Sequence, residues 1–511
     1  MLAAPCTCIC ETPTVRPSRP STPVAAVVGT LASSHAGVAA SAVSAAPVRN
    51  RQSSLKTRAW PGVSCQARCA TSSVAASAAI ASSSLSLGID CGTSGARAIL
   101  IDGGGKIVHE SQIPFDKLKS EDWVGPWTRA FMDLLKQLPQ GLKDNISSLC
   151  IGGTSSTALL VDSRRGDILA PTKIYNEDQG ADAFEATKAI APEWHCARGS
   201  TSTLAKLINW HNSGTWQQAK EDGYSPVLLH HADWLASLLT GRRDTSDWNN
   251  TLKLGYDPEA QCYPDWLLAQ PYAGLLPPRV LEPGKAVGTV TDQMAELTGL
   301  PKACTVCAGT SDSTSAFIAA GVQGPGEAVT SLGSTFAPKL LSKTRVDNAF
   351  YGVYSQRIGD SWLVGGASNT GGAVLKEFFT SDQLKELSAQ IDPDQPSGLD
   401  YYPLTKPGER FPVNDPHLEP RLTPRPESDV LFLHGMLEGM ANIEARAYGL
   451  LRELGAAPLT KVYTAGGGSK NPAWLKIREK KLGVPVVAST QVEAAYGSAL
   501  LAQRRAAMPV S

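Results

Sequence analysis

The stretch that most constrains this chain is Leu85 to Asp102, LSLGIDCGTSGARAILID. An apolar run ends in Asp90, a turn of Gly92, Thr93, Ser94 and Gly95 follows, and Arg97 leads into a second apolar run, Ala98 to Ile101. Two such runs joined by small residues predict a β-hairpin. Glycines let the backbone approach another group closely, and hydroxyls with free amides at a turn suit an anionic oxygen. A carboxylate at the base of the turn suits hydrated Mg2+, which takes one or two carboxylates with waters and phosphate oxygens. An ordinary hairpin with a polar turn accounts for the same residues.

The pattern recurs. Ser148 to Asp162 (SLCIGGTSSTALLVD) reads as strand, small-polar turn, strand, and so does Glu327 to Leu341 (EAVTSLGSTFAPKLL). Between them, Cys304 to Gly321 predicts a short strand, a polar turn with one carboxylate, Asp312, and a helix of small residues. The breaker-rich Val322 to Gly326 (VQGPG) marks a boundary between halves. A unit repeated near the start of each half points to two similar domains facing each other rather than a solenoid.

Other elements follow from periodicity. Phe131, Leu134, Leu135 and Leu138 put an amphipathic helix within Asp116 to Leu138. Lys206 to Trp210 and Ala232 to Leu239 read as helical, the second stopped by Gly241, and Trp248 to Asp257 reads as a polar loop. Leu431 to Leu454 forms a long helix closed by Gly455. Lys461 to Ala465 is a strand running into Gly466, Gly467 and Gly468, after which Asn471 and Pro472 supply an N-cap and a first helical residue. That helix ends at Gly483. A glycine-rich loop before a helix start favours phosphate or a flat nucleotide edge, although a tight strand-to-helix connection needs the same residues. Neither G-x-x-x-x-G-K-[ST] nor a strand followed by G-x-G-x-x-G occurs.

Strands and helices alternate throughout, so the fold class is α/β, and 511 residues suffice for two or three domains. The 47 basic and 47 acidic side chains leave no basic surplus for nucleic acid, and no apolar run is long enough for a membrane span. The charge is uneven, however. Residues 1–84 hold one acid, Glu11, against seven basic residues, amid Ser, Ala, Thr, Val and Pro. That is the composition of an organelle transit peptide, with an attached disordered tail as the alternative. The body beyond it carries six more acidic than basic side chains. Its six cysteines are scattered rather than framed for disulfides, and Cys304 and Cys307 on one extended strand lie roughly 10 Å apart, too far for a bridge.

Taken in order, LGIDCGTSGARA, GTSSTALLVD, Lys206 in AKLINW, SDWNNTLKLGYD, AGTSDSTSAF, TSLGST, GGASNTGGAV, LEGMA and AGGGSKNPAWLKI resemble the FGGY carbohydrate kinase family, within the actin-like ATPase superfamily. The likeness runs from about Leu85 to the end, and is greatest to plastid and cyanobacterial D-ribulose or xylulose-kinase-like proteins. It implies two actin-like (ribonuclease H-like) domains, 85–322 and 323–511, facing each other across an ATP and sugar cleft. It also implies Asp312 as the catalytic base, which also contacts the sugar, and Asp90 as the carboxylate organising Mg2+, through water. Gly92, Thr93, Ser94 and Arg97 match the first phosphate hairpin, Gly333, Ser334 and Thr335 the second, and Gly466, Gly467, Gly468 and Asn471 the adenosine site.

The departures fall on the sugar wall. A Gln-Met-His-Gly turn common in pentulose kinases is Thr154, Ser155, Ser156, Thr157 here; a Trp-Asn-Asp-x-Arg block reads Tyr175, Asn176, Glu177, Asp178, Gln179; and a Trp-Glu-Gln-Asp-Pro segment is shortened to Trp123, Val124, Gly125, Pro126. Thr154, Ser155, Ser156, Asn176 and Glu177 are therefore candidate sugar contacts. Replacing Met and His by hydroxyls changes shape and hydrogen bonding, so D-ribulose is expected over D-xylulose. The other readings are an inactive sugar and nucleotide sensor, or an ATPase of the actin or chaperone type. The expected partners are a sugar and ATP, with no nucleic acid or membrane, as monomer or dimer. The expected compartment is the chloroplast stroma.

Overall fold

The computed structural model describes residues 84–115 and 123–506, with side chains to residue 504. The transit-peptide reading of 1–84, save Ser84, lies outside them, as does the start of the segment in which the first helix is expected. Among the described residues no helix is long and apolar enough to cross a membrane.

Strands β1 (Leu85–Cys91), β2 (Gly95–Ile101), β3 (Ile107–Pro114) and β4 (Ile146–Gly153) begin the first sheet. β5 (Ala158–Asp162) pairs with β6 (Pro226–His230), and β7 (Thr245–Asp247) with β8 (Arg279–Leu281). β9 (Ala286–Thr289) and β10 (Thr305–Ser311) complete a sheet of order β3-β2-β1-β4-β10-β9. The expected hairpin is β1 with β2, antiparallel, with Asp90 opposite Arg97. β1, β4 and β10 run parallel and are buried along nearly their whole length, as central parallel strands covered on both faces are.

The second sheet has β11 (Glu327–Leu332), β12 (Phe336–Ser342), β13 (Tyr354–Ile358), β14 (Ser361–Gly365), β15 (Lys461–Gly466) and β16 (Val486–Ala488), ordered β13-β14-β12-β11-β15-β16. β11 and β12 form the second hairpin, and β11 runs parallel to β15. Each sheet thus sets an antiparallel hairpin beside parallel strands.

Helices α1 (Val124–Gln137), α2 (Thr203–Asn212), α3 (His231–Thr240), α4 (Asp312–Ala319), α5 (Gly372–Phe378), α6 (Asp429–Glu453), α7 (Pro472–Leu482) and α8 (Ala494–Ala506) carry or support the site. Phe131, Leu134 and Leu135 of α1 are buried against the first sheet, as their spacing predicts. α7 starts at the Asn471 cap with Pro472 first, and ends at left-handed Gly483. α8, though last in the chain, packs on the first sheet. A Cβ on Gly88 of β1 would lie 1.9 Å from the Ala495 carbonyl oxygen, and one on Gly497 would lie 1.8 Å from that of Ser315 in α4.

Three expectations change. Ser148 to Asp162 is no hairpin: β4 stays between β1 and β10 while β5 leaves to pair with β6. Local sequence sets the strand–turn–strand pattern, but partner choice belongs to the sheet. Trp248 to Asp257 is not an open polar loop, because buried Asp247 accepts from the Asn249 and Asn250 amides and the Asn250 side chain, folding the segment into a 3-10 turn at Thr251–Leu254. No turn separates β10 from α4; Ser311 ends the strand and Asp312 is the first helical residue. Cys304 and Cys307 are buried and form no disulfide.

Candidate active site

The parallel register brings three strand ends to one edge. Asp90 lies opposite Gly152, Cys91 opposite Gly153, and Ser311 opposite Gly153. The first hairpin turn, the Thr154–Thr157 turn and Asp312 therefore leave the sheet side by side, at the carboxyl ends where open α/β sheets bind ligands. Gly152 fills the space between them: a Cβ there would lie 3.5 Å from Asp90 Oδ1, 3.3 Å from Ser315 Oγ of α4 and 3.1 Å from Ser498 Oγ of α8.

Asp90 Oδ1 is buried without a hydrogen-bond partner. Burial, then Asp312 and Glu493, push its carboxyl up to about 7, against the pull of Arg97. A carboxylate so placed is stabilised by a cation, and this orphaned oxygen suits Mg2+. Among the described residues no group of three or more His, Cys, Asp or Glu is placed to hold a metal, so phosphate oxygens and waters would complete the coordination. Asp312 Oδ1 accepts from the Ser313 amide at 2.5 Å. Burial raises its pKa, while that bond, Lys339 and Lys253 act the other way.

The two hairpins expected to hold phosphate are built alike. In the first, the Gly92 amide donates to the Gly95 carbonyl at 2.9 Å, the Trp127 indole donates to the Gly92 carbonyl at 3.0 Å, and the Thr93 and Ser94 amides meet no described residue. In the second, Gly333 donates to Thr335 at 3.2 Å, and Gly372 and Ala373 of α5 donate back to Gly333 and Ser334. Gly371 lies so close that a Cβ would sit 2.6 Å from the Ser334 oxygen, at a φ of +146° that side chains avoid. Gly333, Ser334 and Thr335 remain exposed. Gly466 pairs with Leu332 at the end of β11, so the glycine-rich loop abuts this hairpin. Gly467 faces open space, whereas a Cβ on Gly468 would lie 2.6 Å from both Leu332 and Trp474 side chains.

Some expected contacts are engaged elsewhere. The Arg97 guanidinium pairs with Glu493, just before α8, and with Glu110 and Gln112 of β3, so it braces the hairpin. Asn471 spends its side chain on the Trp474 amide and on Ser388. Asn176 is exposed, and Glu177 bonds Lys173, Gln179 and the Ile174 amide; neither touches the Asp90–Asp312 group. In the Thr154–Thr157 turn, Thr154 and Thr157 hydroxyls face each other at 2.7 Å, and Ser156 Oγ is buried without a partner. Trp123 stacks near Trp127, and Val124 to Pro126 begin α1.

Sequence reasoning missed two lysines. Lys253, from the 3-10 turn, and Lys339, from β12, both act on the charge of Asp312 from opposite halves. Lys339 Nζ donates to Gln356 Oε1 at 3.3 Å, and Gln356 Nε2 donates to Ser311 Oγ at 3.0 Å, next to Asp312. Burial pulls Lys339 down to about 8, with Asp312 opposing. Lys339 is half-buried on the face of β12 opposite Pro338, and nothing in one sequence pairs it with Asp312.

The description "FGGY family of carbohydrate kinases" fits both halves: its N-terminal domain model matches residues 85–319 and its C-terminal domain model residues 328–506. A xylulose kinase of Bacillus subtilis (strain 168) is 25% identical over 451 residues, covering 81% of this chain and 87% of its own length. An L-fuculokinase of Salmonella typhi is 24% identical over 457 residues, covering 81% and 90%. Among solved structures, a xylulose kinase from Rhodospirillum rubrum superposes with a TM-score of 0.71 at 21% identity, covering 84% of this chain and 91% of that one. A Plasmodium falciparum glycerol kinase with ADP also reaches 0.71, at 16% identity and 84% and 91% coverage. At such identities the structural likeness speaks for the fold alone.

Proposed function

The chain belongs to the FGGY family of carbohydrate kinases, and from that premise we propose that it phosphorylates a terminal hydroxyl of a ketopentose with ATP, D-ribulose in preference to D-xylulose. The observation that carries the reading is the convergence of Asp90, Asp312 and a hydroxyl-rich turn at the ends of three parallel strands. Phosphoryl transfer asks little covalent chemistry of a protein beyond positioning, charge neutralisation and one proton acceptor.

Asp312 is the acceptor. A sugar hydroxyl within about 3 Å of its free oxygen gives up its proton as the oxygen attacks the γ-phosphorus. The carboxylate starts α4, where the helix dipole favours its charge, and Lys253 and Lys339 do the same from the two halves. Asp90 would hold Mg2+, which neutralises phosphate charge when bound. The unengaged amides of Thr93, Ser94, Ser334 and Thr335 suit the phosphate chain from either side, and the loop at Gly466 to Gly468 suits adenosine. Ser155, partly exposed on the turn that leaves the sheet beside Asp312, carries a hydroxyl where a sugar would lie. Named relatives include a xylulose kinase and a ribulokinase of Shouchella clausii, so the sugar is decided by the wall, not by kinship.

Purified protein given ATP, Mg2+ and a ketose panel is expected to release ADP fastest with D-ribulose. Asp312→Asn should retain nucleotide binding and lose kcat by about 10²–10⁴-fold. Equal or faster turnover of D-xylulose would move the specificity, and no sugar-stimulated ADP release would overturn the kinase reading.

A further inference from the structure

Lys206 is 0% exposed, on the inner face of α2. An ammonium is costly to bury unless its donors are used. Nζ donates to the carbonyl oxygen of Ser156 at 2.8 Å and to that of Thr201 at 2.8 Å. The first acceptor belongs to a residue with φ +64°, the left-handed region that costs a serine energy. Ser156 Oγ, on the same residue, is buried without a partner.

The second acceptor reaches the other altered part of the sugar wall. Ser200 donates its hydroxyl to Asp178 Oδ2 at 2.5 Å, and the Gln179 amide donates to the Ser200 carbonyl at 3.1 Å. Segment 200–202 therefore carries the Tyr175–Gln179 loop on one side and Lys206 on the other. Two of the three stretches in which this chain departs from the pentulose-kinase pattern are joined through a single buried lysine. Its nearest carboxylate influence is Glu177 of that same loop.

We infer that Lys206 is a positioning residue for sugar discrimination: by clamping the Ser156 and Thr201 carbonyls it holds the left-handed Ser156 turn and the Tyr175–Gln179 loop in one register. The inference rests on the proposed sugar-kinase function. A lysine that merely filled space would be replaceable by methionine, which has similar length and no donor.

The test compares Lys206→Met, Ser156→Gly and the double variant with the unaltered protein. Lys206→Met is expected to raise the KM for the ketose about tenfold or more and leave the KM for ATP within about threefold, the size of effect one or two lost charge-assisted bonds produce. Ser156→Gly removes the hydroxyl while easing the φ requirement. If Lys206 acts through Ser156, its substitution adds little in the Ser156→Gly background; fully additive effects would overturn the coupling. Hydrogen–deuterium exchange on the sugar-free proteins reads the clamp without activity. Faster exchange in Lys206→Met confined to residues 154–160 and 175–180 supports it. Unchanged exchange there, or an equal rise throughout the fold, overturns it whether or not the protein proves to be a ketose kinase.

Discussion

At the scale of single residues, the site is a set of charges held in unusual states by burial. Lys339 is the case with the clearest consequence. Burial favours its neutral form, Asp312 favours the cation, Lys253 opposes it, and the balance lies at about 8. The ammonium is therefore present at pH 7 and lost as the pH rises through about 8, unlike an exposed lysine, which stays charged to beyond 10. If it stabilises the charge at Asp312 and the transferring phosphoryl group, kcat is expected to fall on an alkaline limb near pH 8. Lys339→Met should lower kcat about 10–100-fold at pH 7 and abolish that limb, as a pH–rate series would show. An alkaline limb that survives the substitution would assign it to another group. Asp312 and Asp90 were legible from their motifs; Lys253 and Lys339 were not, because a side chain's electrostatic partners lie across the fold rather than along the chain.

At the scale of elements, the second half is pinned by one buried ion pair. Arg478 of α7 donates Nε and Nη2 to Glu444 of α6 at 2.6 and 2.7 Å, with both side chains 1% exposed. Arg478 Nη1 reaches Thr464 of β15 at 2.7 Å, and Thr330 of β11 donates to Glu444 at 2.5 Å. Two helices and the two parallel strands that carry the second hairpin and the glycine loop thus share one network. Removing one charge leaves the other buried alone, so Glu444→Ala is expected to cost about 3–5 kcal/mol in urea unfolding. Replacing Glu444 and Arg478 together by Met should cost much less. Element boundaries agreed with sequence signals where those signals were chemical: the Asn471 cap, Pro472, Gly241 and Gly483. They failed where pairing mattered, since Ala158 to Asp162 has the same strand character whichever strand it joins.

At the scale of the whole molecule, the halves are stitched by polar contacts. Asn249 exchanges two hydrogen bonds with the Arg357 peptide of β13, at 3.1 and 2.9 Å, and Arg345 pairs with Asp257 at 2.7 Å and Glu259 at 3.3 Å. Helix α8 adds a third tie by packing the end of the second half onto β1 and α4. We propose that residues 1–84, rich in Ser and Ala with seven basic residues against one acid, direct plastid import. Fused to a fluorescent reporter, they are expected to carry it into chloroplasts; a reporter that stays in the cytosol would count against that compartment.

What the sequence by itself determined was the local chemistry: two hairpins with small polar turns, a glycine-rich helix start, a capped helix behind it, and an aspartate after an apolar strand. These depend on propensity and spacing within a dozen residues. What only the tertiary structure decided was which of these meet. Parallel register put Asp90, Thr154 and Asp312 on one edge, Arg97 paired with Glu493, and Lys206 reached the Ser156 carbonyl 50 residues earlier in the chain. Such contacts cost chain entropy to close and are rewarded only when the whole sheet forms, so no short stretch of the chain encodes them alone.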